Sequence, residues 1–184
     1  MLRIQLLLCS VIICTVLQGC IFSPHKGDTK VDPPPTYVKP LNPEAVLYNL
    51  ALAYTHRDSL EYKSLYHEQY QGSFIDQRDP FPVLATYFKS DEAQHIAFVA
   101  QNTASVDLEI STSLVRIVDL GDPAGWITIQ NPFSKLEIDG IKGHLNIVPG
   151  TAEDTIDMKF IPIPPSTTGA DTTWQIIRVI EARR

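Results

Sequence analysis

From Asn42 onward the hydrophobic positions of this chain follow first a helical period and then a period of two. Val46, Leu47, Leu50, Ala51 and Tyr54 recur at three- and four-residue spacing, which places them on one face of a helix. Asn42-Pro43-Glu44 gives that helix an amide N-cap, a proline in its first turn and an acid at the positive end of its dipole. The helix ends near His56-Arg57, and Asp58-Ser59-Leu60-Glu61 reads as a capping box opening a second, shorter one, with Leu60, Leu65 and Tyr66 as its buried face. Residues 70–75 suit a short strand or extended arm, and Asp79-Pro80-Phe81-Pro82 breaks regularity. Ser90-Asp91-Glu92 starts a third helix with Ala93, Ile96, Ala97 and Ala100 on its inner side.

After Asn102 the period shortens. Val106, Leu108 and Ile110 alternate with polar residues, and the phase slips near Leu114-Val115, as a bulge or bend would make it. Residues 126–130 form a further strand. Asp139-Gly140 signals a hairpin, with Ile138 before it and Ile141, Leu145 and Ile147 after it. Ile156, Met158 and Phe160 alternate again, Pro162, Pro164 and Pro165 stop that strand, and residues 173–182 make the last one. Helices gathered ahead of a meandering sheet define an α+β class. The expected architecture is three N-terminal helices packed on a curved antiparallel sheet, over residues 42–184.

The N-terminal 41 residues have a different texture. An apolar run of 14 residues from Ile4 to Leu17, interrupted by Gln5 and Ser10, follows Arg3 and leads into Leu17-Gln18-Gly19-Cys20. A membrane-spanning helix needs roughly 20 apolar residues, whereas a signal-peptide core needs about 7–15. The combination resembles a bacterial lipoprotein signal peptide, with Gln18 where a small residue is commoner. An ordinary cleaved signal is the main competitor, but small residues in an A-x-A pattern do not follow the apolar run. The resemblance implies that residues 1–19 are removed, that Cys20 carries lipid on its sulfur and its freed amine, and that this anchor holds the protein at the membrane. Ile21, where enteric bacteria place aspartate for inner-membrane retention, tilts the expectation to the outer membrane, facing the periplasm. Residues 20–41 then form a tether, with Pro24, Pro33, Pro34, Pro35 and Pro40 and little apolar content to order it.

Cys9, Cys14 and Cys20 are the only cysteines, so cleavage and lipidation would leave no free thiol for a disulfide, a thiolate metal site or a nucleophile. The formal net charge of −6 includes Arg3, so the processed chain carries −7. That balance argues against nucleic acid as a partner and against electrostatic docking on anionic lipid.

Two further resemblances bear on the fold. The run from Asn42 to Tyr54, the Arg57-Asp58 turn, the segment from Tyr62 to Tyr70, the Tyr70/Phe74 arm and the closing Thr173-Trp174-Gln175-Ile176-Ile177-Arg178 resemble the opening and final strand of cystatin-like α+β cone domains. This is the superfamily of nuclear transport factor 2 (NTF2), ketosteroid isomerase and scytalone dehydratase, and the likeness is nearest to its bacterial lipoproteins. It implies a helix-covered cone with an internal cavity and a tendency to pair through the sheet. Asn49-Leu-Ala-Leu-Ala-Tyr54 also looks like one tetratricopeptide repeat, but such arrays need three or more units and there is no second copy at the required period.

Chemistry is sparse. His67-Glu68-Gln69-Tyr70-Gln71 begins like a zinc-protease motif but has Gln71 in place of the second histidine, which removes the chelate. His56, His95 and His144 are dispersed and read as surface or core histidines. A nucleophile elbow, a phosphate loop and a dinucleotide fingerprint are all missing, so neither a cofactor nor a metal is expected. Tyr54, Tyr62, Tyr66, Tyr70 and Tyr87 fall where helices should cover the sheet; Tyr54, Tyr66 and Tyr70 are the candidate pocket-lining residues. Asp107, Glu109, Asp157 and Glu181 share the polar phase of their strands and should face away from Leu108, Met158 and Ile180, leaving the pocket without an inward carboxylate. The expectation is a non-catalytic, lipid-anchored envelope protein that binds a protein partner or pairs with itself. The alternative is a small-molecule binder, or an isomerase or hydrolase, using the cone cavity.

Overall fold

The computed structural model describes residues 34–140, 143–147 and 154–183. The signal-like segment, Cys20 and most of the expected tether lie outside the described residues.

Each helix begins where the sequence supplies a cap. Helix α1 (Pro43–His56) starts with Asn42, whose side chain accepts from the Ala45 N–H at 2.8 Å. It stops at Arg57, which takes the left-handed conformation (φ 57°) uncommon for a residue with a Cβ. Arg57 compensates through its guanidinium, which donates to the Thr103 carbonyl at 2.7 Å and the Ala104 carbonyl at 3.2 Å. Asp58 caps α2 (Ser59–Ser64) by accepting from Leu60 and Glu61. At α3 (Lys89–Asn102), Asp91 accepts from the Phe88 N–H at 2.7 Å. The register of α2 differs from expectation: Tyr62 is its buried residue, whereas Leu60 is 83% exposed. Leu65 and Tyr66 are buried, but Tyr66 already belongs to the following strand.

The strands are β1 (Tyr66–Asp76), β2 (Ala85–Phe88), β3 (Thr103–Ile110), β4 (Val115–Ile117), β5 (Ile127–Gln130), β6 (Phe133–Gly140), β7 (Gly143–Ile147), β8 (Asp154–Ile163) and β9 (Thr173–Arg183). Six form one sheet in the order β2-β1-β9-β8-β5-β4; the other three form β3-β6-β7. The fold is α+β, but two features depart from the expected arrangement. The large sheet is mixed, because β1 runs parallel to β9. The three described helices are not consecutive either, since β1 and β2 stand between α2 and α3. Both involve β1, which spans Tyr66–Asp76 between α2 and α3 and lies beside β9 in the sheet. A parallel pairing needs a long crossover between its strands, and the whole β2–β8 segment provides it. The hairpin foreseen at Asp139-Gly140 joins β6 to β7, but Asp139 and Gly140 themselves belong to β6, where they pair with His144 and Gly143.

The core lies between the helices and the sheets, with Val46, Leu47 and Leu50 of α1 packed with Ile96 of α3, Ile129, Met158, Phe160 and Ile176. The packed chain begins before α1. Asn49, 1% exposed, accepts from the Val38 N–H at 3.0 Å and donates to the Val38 carbonyl at 2.7 Å. Tyr37 donates to Asp58 at 2.9 Å, and the Pro40 carbonyl accepts from the Trp174 N–H. Residues 37–40, expected to be tether, are thus bound to the domain.

One irregularity sets up the site. Along the β8–β9 ladder Lys159 pairs with Arg178 but Phe160 pairs with Ile176, leaving Ile177 as an extra residue. This bulge reverses the phase of β9. Val179 and Glu181 therefore share a face with their partners Met158 and Ile156, while Ile180 turns to the outer face and is 41% exposed.

Candidate functional site

A cavity of about 460 Å³ lies between α1, α3 and the two sheets. Its walls are mainly apolar: Leu50 from α1, Leu108 and Leu136 from β3 and β6, and Ile156, Met158 and Val179 from β8 and β9. That volume suits a small organic ligand.

One end of the cavity is polar, built by tyrosines and acids. Glu92, on the first turns of α3, is held by two hydroxyls: Tyr62 donates to its Oε2 at 2.7 Å and Tyr70 to its Oε1 at 2.9 Å. Tyr66 in turn donates to the Tyr62 hydroxyl at 2.8 Å. Tyr87 donates to Glu181 Oε1 at 2.6 Å, and the Tyr54 hydroxyl shares a hydrogen bond of 2.6 Å with His95 Nε2. The rings touch in series, Tyr54 to Tyr62, Tyr62 to Tyr66, Tyr66 to Tyr70 and Tyr70 to Tyr87, with centroids 4.7–6.2 Å apart. Tilted and edge-on contacts of this kind are favourable beyond simple area burial.

Gly72 makes room for this line. It pairs directly with Tyr87 across β1 and β2, and a Cβ at position 72 would overlap the Tyr87 ring. Only glycine lets Tyr87 lie flat enough over β1 to reach Glu181.

The electrostatics keep the tyrosines protonated. Burial pushes the hydroxyls of Tyr54, Tyr62, Tyr66, Tyr70 and Tyr87 well above the usual tyrosine range, with neighbouring carboxylates adding to the effect. They are donors at any physiological pH. Glu181 is also raised. Burial is the main cause and the charge of Glu92 adds to it, while the Tyr87 hydrogen bond, Arg183 and His95 oppose it. A carboxyl so placed can hold or release a proton within the cavity.

Of the three candidate pocket residues, Tyr54 and Tyr66 line the cavity, whereas Tyr70 stands behind Glu92 and reaches the site through that carboxylate. The expectation that inward carboxylates are lacking is corrected: Glu92 and Glu181 both face the cavity. Glu181 was placed on the wrong face because uninterrupted alternation from Ile176 carries Ile180 inward; the Ile177 bulge undoes that count. In the sequence Glu92 stands out only as a helix-start acid and His95 only as one of the dispersed histidines. Their i, i+3 spacing on α3 is the signal that would have joined them. Asp107 and Glu109 do face outward, both in ion pairs with Lys135. His67 and Glu68 lie on β1 rather than on a helix, and Glu68 pairs with Lys89.

The sequence matches no protein-family model and no curated protein. Solved structures do resemble the fold. An NTF2-like superfamily protein from Salmonella enterica serovar Typhimurium aligns over 75% of this chain and 85% of its own, with TM-score 0.52 and 12% identity. A candidate dehydratase of the NTF2-like family from Streptomyces avermitilis aligns over 77% of this chain and 92% of its own, with TM-score 0.51 and 10% identity. At such identities the likeness speaks for architecture alone: the α+β fold of this chain is similar to that of NTF2-like proteins.

Proposed function

We propose that this chain is a lipid-anchored protein of the bacterial cell envelope whose cone cavity binds a small, mainly apolar molecule. The Leu17-Gln18-Gly19-Cys20 sequence supports the anchor, with Cys20 as the lipidated residue and the outer membrane, periplasmic side, as the location. The observation that carries the binding reading is the cavity itself: apolar walls closing on a polar end where Glu92, Glu181 and His95 converge. Apolar walls supply affinity and a few fixed polar groups supply orientation.

The binding test uses an environment-sensitive apolar fluorophore. Saturable binding to the wild-type protein is expected, with competition by small aromatic molecules and loss on filling the cavity by Val179→Trp. Equal binding to the filled variant would place the dye elsewhere. The anchor is tested by fatty-acid labelling in cells: Cys20→Ala should lose the label.

Two observations favour further uses of the domain. Glu181 is a largely buried carboxyl against a ligand cavity, its pKa raised by that burial, which suits acid–base chemistry of the isomerase or hydrolase kind. The edge strand β4 also leaves Val115 and Ile117 exposed at one end of the large sheet, which suits self-association through that end of the sheet.

A further inference from the structure

The walls of the cavity fix its size, and the groups at its polar end fix the charge it accepts. Among the described residues, three carboxylates border the cavity, Asp91, Glu92 and Glu181, against a single guanidinium, Arg183, and one imidazole, His95. Asp91 is engaged at the start of α3 by the Phe88 N–H, and Arg183 lies over the Phe74 ring, 5.6 Å from its centroid. Lys89, at the first position of α3, is directed elsewhere: its Nζ donates to Glu68 and to the Tyr66 carbonyl. Among the described residues, neither Glu92 nor Glu181 has a lysine or arginine as a hydrogen-bonding partner. Both are held by tyrosine hydroxyls instead. A neutral donor supports a carboxylate but does not cancel its charge.

Aromatic faces stand beside these acids. Tyr54, Tyr62, Tyr66 and Tyr87 all border the cavity. Their hydroxyls are taken up by Glu92, Glu181, His95 or one another, so what they add to the walls is ring surface, whose faces are electron-rich. Aromatic rings combined with carboxylates form an environment that attracts an organic cation and offers little to an anion. An anionic ligand would meet Glu92 and Glu181 with one guanidinium to offset them.

From this juxtaposition we infer that the cavity selects an amphiphilic organic cation, an apolar body bearing a substituted ammonium group, with the ammonium seated between the tyrosine rings and the Glu92 and Glu181 carboxylates. The inference rests on the cavity being a ligand site and adds the chemical class of the ligand.

Calorimetric titration of the purified protein tests it, using 3-phenylpropyl-trimethylammonium and the neutral isostere in which carbon replaces nitrogen. The cation should bind at least about tenfold more tightly than the isostere. Glu181→Gln, and independently Glu92→Gln, should each reduce that preference several-fold while leaving the isostere's affinity unchanged. Arg183→Ala should enhance it by removing the opposing charge. Thermal melts of each variant verify that the fold is retained. If cation and isostere bind equally, or if neither glutamine variant changes the preference, the charge selection is overturned while the cavity remains a ligand site. If neither molecule binds, both readings fall.

Discussion

At the scale of single residues, the site depends on positions whose roles are visible only in their neighbours. Gly72 is the clearest. Gly72→Ala forces the Tyr87 ring off β1 and breaks its hydrogen bond to Glu181, so urea denaturation should show a loss of about 1–3 kcal/mol. Glu181 gives a prediction in pH. Its pKa is raised in the folded state above the ordinary glutamate value of 4.5, so the folded protein binds a proton more readily than the unfolded chain. Its contribution to stability therefore falls as pH rises through the window between 4.5 and the raised value. Glu181→Gln removes that slope. Denaturation measured across a pH series should show the variant gaining on the wild type as pH increases, and at pH 7 it should be at least as stable. A wild-type curve that gains on the variant over that window would contradict the burial of this carboxyl. Trp174, by contrast, is only partly buried against the core, so Trp174→Ala should cost less than the roughly 3–5 kcal/mol of a fully enclosed ring.

At the scale of elements, legibility in the sequence follows the locality of the cause. The Asn42 and Asp58 caps are side chains bonding to backbone two or three residues away, and both helices begin where those residues predict. The start of α3 and the alternation of β3 and β8 are equally local. The parallel β1–β9 pairing is not, because it joins segments about a hundred residues apart and leaves no trace in the period of either strand. The Ile177 bulge defeats reading by alternation for a related reason. Ile176-Ile177 and Val179-Ile180 are adjacent apolar pairs, so either phase of β9 satisfies a hydrophobic count. The five tyrosines could be placed near the cover of the sheet, yet the acids that order them could not, since one sits past the bulge and the other on a helix across the cavity. The docked segment before α1 was hidden by its prolines. Its binding depends on Asn49, and Asn49→Ala strips both backbone partners from Val38. We expect a loss of about 1–3 kcal/mol and faster hydrogen exchange at the Val38 amide, which mass spectrometry of peptides spanning residues 34–41 would detect.

At the scale of the domain, the helices and two sheets border an open cavity lined by apolar side chains and ended by a tyrosine-supported pair of acids. A fold stabilised only by its core would gain by filling that space, and buried acids such as Glu181 lower stability near neutral pH. Both features suit the proposed ligand-binding interior. Calorimetric titration of the aromatic ammonium probe against the wild-type protein and Leu136→Trp tests this most directly, since Leu136 lies on the cavity wall and its replacement would occupy the ligand's volume. The account predicts stoichiometric binding to the wild type and none to the tryptophan variant, with the variant still melting cooperatively. Undiminished binding by the filled protein, or no binding by the wild type, would contradict it.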